Sequence, residues 1–568
     1  MKRMTVTFAA ALILALAGTG TPASASNLQP VMAGELSPGP SGSSPNDLFS
    51  FGSRLLAEAF DGPHGGEPWQ FSGSSGSLLK DIRPGIITSD LGEYAQLGGI
   101  VLFDANSGDQ AREIWKTDGT TTTMVRDLNP GPVNGVSTGF AKLGNFVYFN
   151  GTDGLTGNEI WRTDGTTMTQ VRDIYVGASG SGPGSFTTLN GFVYFTAFEP
   201  STGTELWRTD GTTSTKVAEI APLALGSNPT DLTPMGNHLY FAADNGSDGV
   251  ELWRTDGTTT TMVKNINPGG SSYPTNIRAI GSRIYFRADD GTNGTELWTS
   301  DGTTTNLVAD LNPGMQSSNP YGITGHGGKV YFVGSLPATG QELWQTDGTS
   351  TEIVRDINPG EFSSNPAELT SFDGALYFEA RTFNEGYELW KVDGGSTSLV
   401  KDILPGSDSG SPISLTPHDG TLYFSASDGV HGREIWKLVR PVPPDKSVSI
   451  VIRSGSVKLN RKGAGKVAIA CPAAEASGPC KGTLVMRTAK KFKLKRKGKK
   501  VAVQLASTRF TAAAGETVKV PVKVGKTGLK LLRKSKPARK VIIKVAVSDA
   551  AGNSDSFSKR VKTNRPPK

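Results

Sequence analysis

The stretch Glu251-Leu-Trp-Arg-Thr-Asp-Gly-Thr258 recurs, with variations, through most of the chain. Its tryptophan stands at Trp69, Trp115, Trp161, Trp207, Trp253, Trp298, Trp344, Trp390 and Trp436, which accounts for all nine tryptophans in 568 residues. Successive tryptophans are 46 residues apart, except for one interval of 45 between Trp253 and Trp298. A fixed period of about 40–50 residues is the signature of a propeller or a solenoid and outranks any local reading.

One unit, 228–268, gives the strands. Asp231-Leu-Thr-Pro-Met leads through Gly236-Asn237 into the aromatic-rich run His238-Leu-Tyr-Phe-Ala-Ala, which reads as a hairpin. A polar loop from Asp244 precedes Glu251-Leu-Trp-Arg-Thr, and Asp256-Gly257 turns the chain into a fourth strand beginning at Thr260. Asn267-Pro-Gly then opens a crossover to the next unit. Four short antiparallel strands per period make a propeller blade.

The ends predict how the ring closes. After Trp436 the pattern stops at Pro441 without a fourth strand, while Met32-Ala-Gly-Glu-Leu-Ser-Pro-Gly matches Val354-Arg-Asp-Ile-Asn-Pro-Gly. The segment around Leu28–Leu36 therefore completes the last blade, removing the open edges that invite aggregation. The expected fold is all-β: a closed propeller of nine four-stranded blades, or eight if the first unit, where Pro68 adjoins Trp69, fails to form one. With the N-terminal strand outermost, the Leu-Thr strand lines the channel. Crossovers and the loops before Glu-Leu-Trp then share one face, and the Asp-Gly turns lie on the other.

The tryptophans read as packing between blades, since nine exposed indoles would aggregate. The turns at Asp118, Asp164, Asp210, Asp256, Asp301 and Asp347 read as structural: glycine supplies positive φ and aspartate accepts the turn's amides. A glutamate stands two residues before every tryptophan: Glu67, Glu113, Glu159, Glu205, Glu251, Glu296, Glu342, Glu388 and Glu434. Either these carboxylates accept loop amides, or they form a ring that binds cations. The second reading draws on Asp61, Asp153, Asp290 and Asp428, six residues earlier in glycine-bearing loops whose oxygens suit Ca²⁺. Ser107, Leu336 and Thr382 break that pattern. No other cofactor is expected.

The octet resembles the repeat of the ELWxxDGT-repeat proteins, an exported bacterial group, over roughly residues 28–440. The resemblance implies a secreted or surface-associated propeller-like array and no particular reaction. Lys2 and Arg3, the apolar run Phe8–Ala17 and Ala23-Ser24-Ala25 read independently as a secretory leader, residues 1–25. No other apolar run approaches the roughly 20 residues of a membrane span.

Charge divides the chain. Residues 447–568 hold 31 Lys and Arg against 4 Asp and Glu, a net +27; residues 26–446 hold 25 against 48, a net −23. Such opposition points to a propeller at 26–440, a Pro-rich linker at 441–446 and a second domain with different partners at 447–568. That domain reads as short strands at 448–453, 465–470, 482–488, 501–507, 517–524 and 540–547, with one helical period at 526–534: a small basic β-sandwich. Val547-Ser-Asp-Ala-Ala-Gly-Asn is similar to the last-strand turn of bacterial immunoglobulin-like domains. Cys471 and Cys480, the only cysteines, are expected to pair as a disulfide in an exported protein. The run containing Lys490, Lys491, Lys493, Lys495, Arg496, Lys497, Lys499 and Lys500 reads either as a solvated edge hairpin or as a polyanion patch. Nucleic acid is not expected, because Phe492 is the only aromatic among the lysines.

None of the five histidines (His64, His238, His326, His418, His431) shares a repeat slot with a nucleophile, and no nucleophile elbow or phosphate loop occurs. The function expected is therefore an exported, non-enzymatic binding or scaffold protein. Its propeller would present a disc to a glycan or protein, and its basic domain would attach to anionic envelope polymers. The alternatives are an extracellular polysaccharide hydrolase or lyase using propeller-face carboxylates, and a purely structural array.

Overall fold

Alternating apolar residues set the strands, and Gly-Asn and Asp-Gly pairs end them. In the unit quoted above the strands are Thr230–Met235, His238–Asp244, Val250–Thr255 and Thr260–Lys264, paired antiparallel in that order. The computed structural model describes residues 28–440 apart from 74, 137 and 138, and 449–568 apart from 473–478 and 550–553. The leader, the linker and the centre of the Val547–Asn553 turn fall outside these residues. The chain divides into two compact units, Met1–Arg440 and Pro441–Lys568.

The first unit contains nine four-stranded sheets, numbered here as blades 1–9 in the order of their tryptophans. Blade 1 forms in full despite Pro68, as Asn46–Phe51, Arg54–Ala59, Glu67–Ser72 and Ser75–Leu78. Blade 9 takes three strands from the C-terminal end of the unit, and its outermost strand is Gln29–Gly34, paired with Arg433–Val439. Innermost strands of successive blades touch, and those of blades 1 and 9 close the circle. There Thr416 Oγ1 donates to Leu48 O at 3.3 Å, and Ser50 Oγ lies 2.8 Å from His418 Nδ1.

The core lies between blades. Tyr148 and Ile160 of blade 3 pack with Phe195 and Trp207 of blade 4, and Tyr377 and Leu389 of blade 8 with Phe424 and Trp436 of blade 9. Within each blade the tryptophan faces residue i−12 on the second strand. That residue is a fully buried phenylalanine in blades 2–9 (Phe103 through Phe424) and Ala57 in blade 1. Burying each such side chain stabilises by about 2–3 kcal/mol. Gly257, in the blade 5 turn, has φ +92°, and a Cβ there would meet the Tyr194 hydroxyl of blade 4. Glycine is thus required twice at that point, by conformation and by the neighbouring blade.

The second unit is a sandwich of a three-stranded and a five-stranded sheet. Val467, Ile469, Val520 and Val522 from the first meet Leu484, Met486, Ile543 and Val545 from the second in one core. The helix at Lys526–Lys534 buries Leu532 against it. Cys471 and Cys480 form a buried disulfide. Two strands were not legible from the pattern: Ser456–Val457 and Ser554–Thr563, which pair parallel with each other. Ser554–Thr563 buries only Val561 and Thr563, so its alternation is almost hidden among Ser, Lys and Arg.

The closing strand leads to a test. Deleting residues 29–34 exposes the full edge of Arg433–Val439. The expected result is a markedly lower midpoint of thermal unfolding with aggregates in size-exclusion chromatography. An unchanged midpoint with a monomeric profile would mean that Gln29–Gly34 does not hold the ring closed.

Candidate functional site

The nine glutamates are wholly buried at the start of the third strands. Glu251 shows their geometry. Its carboxylate accepts the amides of Ile266 (2.8 Å), Asn267 (3.3 Å) and Ser272 (3.1 Å) and the Ser272 hydroxyl (2.6 Å). Ile266 and Asn267 begin the crossover and Ser272 ends it, so one side chain pins both ends of the connection to the next blade. Glu159 does the same with Ile174, Tyr175 and Ser181. Across the closure Glu434 accepts the amides of Leu36, Ser37 and Ser43, residues almost 400 positions away in sequence.

Two residue types missed from the sequence make this possible. The serine forms its own column, Ser43, Ser89, Ser181, Ser227, Ser272, Ser318 and Ser364, at the same 46- or 45-residue interval or its double. Opposite each glutamate on the second strand stands alanine or glycine: Ala59, Ala105, Gly151, Ala197, Ala243, Ala288, Gly334, Ala380 and Ala426. At Gly151 even a Cβ would lie 2.8 Å from Phe149 and 3.1 Å from the Trp161 ring, so no large residue fits.

Blades 2 and 8 carry Gly135 and Gly410 in the serine's place, and in blade 1 the Ser89 hydroxyl turns to Gly66 O. Burial pushes the carboxyls of Glu67, Glu113 and Glu388 up to about 7, with Asp81, Asp127 and Asp402 nearby adding to the push. Glu205, Glu251, Glu296, Glu342 and Glu434 are also displaced upward by burial, against the pull of the serine hydroxyl.

The loop aspartates serve their own turns. Asp153 Oδ1 accepts the amides of Leu155 and Thr156 at 2.9 and 3.0 Å, and Asp290 Oδ1 those of Thr292 and Asn293 at 2.9 and 2.8 Å. Asp61 and Asp428 accept the amides of His64 and His431, whose Nδ1 atoms lie 2.8 and 2.7 Å from the second oxygen. Those contacts raise both histidines above their ordinary value. Among the described residues no three His, Cys, Asp or Glu side chains converge to hold a metal. On the opposite face Asp256 Oδ1 accepts the Thr258 and Thr259 amides at 2.7 Å, which hold its carboxyl down at about 2.

Blades differ at the position nine before the glutamate. Glu58, Asp104 and Glu379 occupy it in blades 1, 2 and 8, and Asn150, Thr196, Ala242, Arg287, Val333 and Ser425 elsewhere. Glu58 accepts the Thr88 hydroxyl at 2.6 Å, Asp104 pairs with Arg112, and burial pushes Glu379 up to about 7 with help from Glu368.

The two faces of the ring are unlike. Fourteen large apolar side chains of the first unit are exposed among the described residues; apart from Val31, and from Phe198 near the end of the second strand of blade 4, all stand in crossovers or in the loops before the third strands. They include Ile86, Val133, Val176, Leu225, Tyr273, Met315 and Phe362 in the seven successive crossovers that follow blades 1–7. The rings of Phe362 and Phe383 meet edge to face at 4.6 Å, and those of Tyr175 and Phe198 lie tilted at 5.7 Å. The Asp-Gly face carries none. In the second unit, Lys490 and Lys491 end the Cys480–Phe492 strand, the other six bases of the run lie in the loop to Val501–Ala512, and all eight are exposed. Val501–Ala512 is the edge of its sheet.

Nine closed blades, with their shared carboxylates spent on the connections between them, define a β-propeller repeat protein. Residues 147–438 match the model of the family described as outer membrane protein assembly factor BamB, and the chain belongs to that family. No curated protein matches it. Similar solved structures include a prolyl endopeptidase from a study of two such enzymes (14% identity, 63% of this chain and 54% of that one, TM-score 0.35). They also include Saccharomyces cerevisiae Sqt1 (9%, 63% and 96%, 0.33) and the lectin SapL1 in complex with alpha methyl fucoside (14%, 47% and 96%, 0.23). The chain spans about half the length of the endopeptidase, covering 54% of it. At these TM-scores none of the three bears on activity.

The carboxylate contacts give two expectations. Glu251→Ala strands three amides and a hydroxyl, costing about 3–4 kcal/mol, whereas Ser272→Ala costs about 1–2 kcal/mol. Chemical denaturation checks both, and equal costs would show that the glutamate does not serve both ends of the crossover. Carboxyls raised to about 7 bind protons more tightly in the folded than in the unfolded chain. Their contribution is present below their ordinary value of 4.5 and is lost as pH rises to about 7. His64 and His431 act in the same direction. The unfolding midpoint should therefore be higher at pH 5.5 than at pH 8, with a smaller difference in Glu113→Gln.

Proposed function

We propose that this is an exported, non-enzymatic binding protein of the ELWxxDGT-repeat type. Its propeller presents the crossover face to a protein or glycan ligand, and its basic domain attaches to anionic polymers of the cell envelope. The observation that carries the reading is the one-sided distribution of exposed apolar side chains: thirteen of fourteen lie on a single face. Phe362 with Phe383 and Tyr175 with Phe198 form aromatic pairs there, and exposed apolar surface of this kind rimmed by polar groups marks interaction sites. The glutamates, the most regular carboxylates in the chain, are occupied by backbone amides and serve as structure rather than chemistry.

A specific observation favours a second reading. Glu58, Asp104 and Glu379 depart from the repeat in blades 1, 2 and 8, as the acids of a polysaccharide hydrolase would. The readings separate in one set of assays. Intact protein is retained on purified cell envelope at low and high salt, with and without chelator, beside the Met315→Ser/Phe362→Ser/Phe383→Ser variant. The binding reading expects wild-type folding for this variant, loss of the salt-resistant fraction and no effect of chelator. Retention identical to wild type removes the crossover face from consideration. Sugar release from acidic polysaccharide that disappears in Glu58→Gln replaces binding with hydrolysis.

A further inference from the structure

The basic run that stands out in the sequence is matched by a second concentration of exposed bases, which the register of the five-stranded sheet assembles. In the five-stranded sheet, side chains that alternate away from the core place Arg560, Ile542, Arg487 and Gln504 in one row across four strands. Lys562 and Lys540 form the next row on one side. On the other side Ser558, Lys544, Val485 and Ser507 form a row, followed by Ser556, Ala546, Thr483 and Arg509. Ser554, Ser548, Lys481 and Thr511 complete the face.

Seven bases from four separate strands thus share one outer surface: Lys481, Arg487, Arg509, Lys540, Lys544, Arg560 and Lys562. All are exposed. None makes an ion pair with any described residue, and Asp555, at the far end, is the only carboxylate lining the grooves there. Strands lie about 4.8 Å apart and alternate residues about 6.8 Å, so Arg560 and Arg487 stand about 10 Å apart and the array runs roughly 27 Å along the sheet. Shallow grooves of about 620 and 430 Å³ open at its two ends, one beside Lys540, Arg560 and Lys562 and the other beside Lys481 and Arg509.

We propose that this sheet face, and not the tip of the Lys490–Lys500 hairpin, is where the protein holds a linear polyanion bearing phosphate or carboxylate groups. The proposal rests on the polymer-attachment reading above and gives it a surface. Uncompensated bases on a rigid sheet attract a polyanion without the entropy cost of ordering a loop. Between the bases stand serine and threonine hydroxyls, which donate to either kind of oxygen. The aromatic rings of the neighbouring strands, Phe510 and Phe557, alternate to the other side and pack on the core. The rows of bases therefore carry no ring on which nucleobases could stack, and Phe510 only borders the groove beside Lys481 and Arg509.

Full-length protein is titrated with polyphosphate, and separately with polygalacturonate, from 50 to 500 mM salt. The variants are Arg487→Ser/Lys544→Ser/Arg560→Ser on the sheet and Lys495→Ser/Arg496→Ser/Lys497→Ser at the hairpin tip; all six residues are exposed, and both proteins should keep the wild-type unfolding midpoint. With seven contacts the logarithm of affinity should fall against the logarithm of salt with a slope of about 5, and the sheet variant should lose about 2 of it and roughly tenfold in affinity. The tip variant should lose less than half as much. The polymer bound more tightly distinguishes phosphate from carboxylate as the natural group. Loss of binding in the tip variant alone overturns the sheet assignment and leaves polymer attachment standing. No binding of either polymer overturns both, and tighter binding of duplex DNA than of either polymer overturns the choice of ligand.

Discussion

A buried carboxylate cannot stay in a protein without donors, and this constraint organises the propeller. Each glutamate is desolvated at the base of a third strand, so the chain must bring amide hydrogens to it. The amides it receives belong to the crossover. In blades 3–9 the connection to the next blade is consequently bound at both ends, whereas Glu67 and Glu113 hold only its start. The alanine or glycine opposite, such as Ala243 or Gly151, leaves room for the carboxylate between the indole and the second strand.

The aromatic packing and the polar clamp divide the labour. Phenylalanine and tryptophan supply non-directional attraction between neighbouring sheets, which would tolerate several blade numbers. The clamp adds direction, fixing the distance from the fourth strand of one blade to the first strand of the next. Glu434 does this with residues from the opposite end of the unit, so closure uses the same contact as the internal joints that follow blades 3–8. Where the serine is missing, in blades 2 and 8, amides alone hold the carboxylate, and burial pushes it up to about 7, as it does Glu67 in blade 1.

The blades, the closing strand and the faces to which the loops belong could all be read from the chain, because tryptophan and Asp-Gly recur at a fixed interval. The glutamate could be located but not assigned, since periodicity states where a side chain recurs and not what it touches. Its serine partner was hidden 21 or 22 residues downstream in a Ser- and Gly-rich segment, where one more serine carries little signal. The apolar face was hidden for a similar reason: Ile86, Met315 and Phe362 are isolated residues in polar loops and become a surface only when nine crossovers lie side by side. In the second unit the lysine run drew attention by its local density. The seven bases of the sheet face come from strands spread over some eighty residues, and only register unites them.

The single 45-residue interval shows what the clamp permits. Its missing residue lies in the crossover of blade 5, where Ile266 and Ser272 are one position closer than their counterparts Ile174 and Ser181, yet Glu251 still receives its full set of donors. Because only the ends are held, the intervening residues are free to lengthen, shorten or change composition without disturbing the blades. The crossovers are thus variable segments on a constant frame, and their length and composition can change one blade at a time while the ring stays intact.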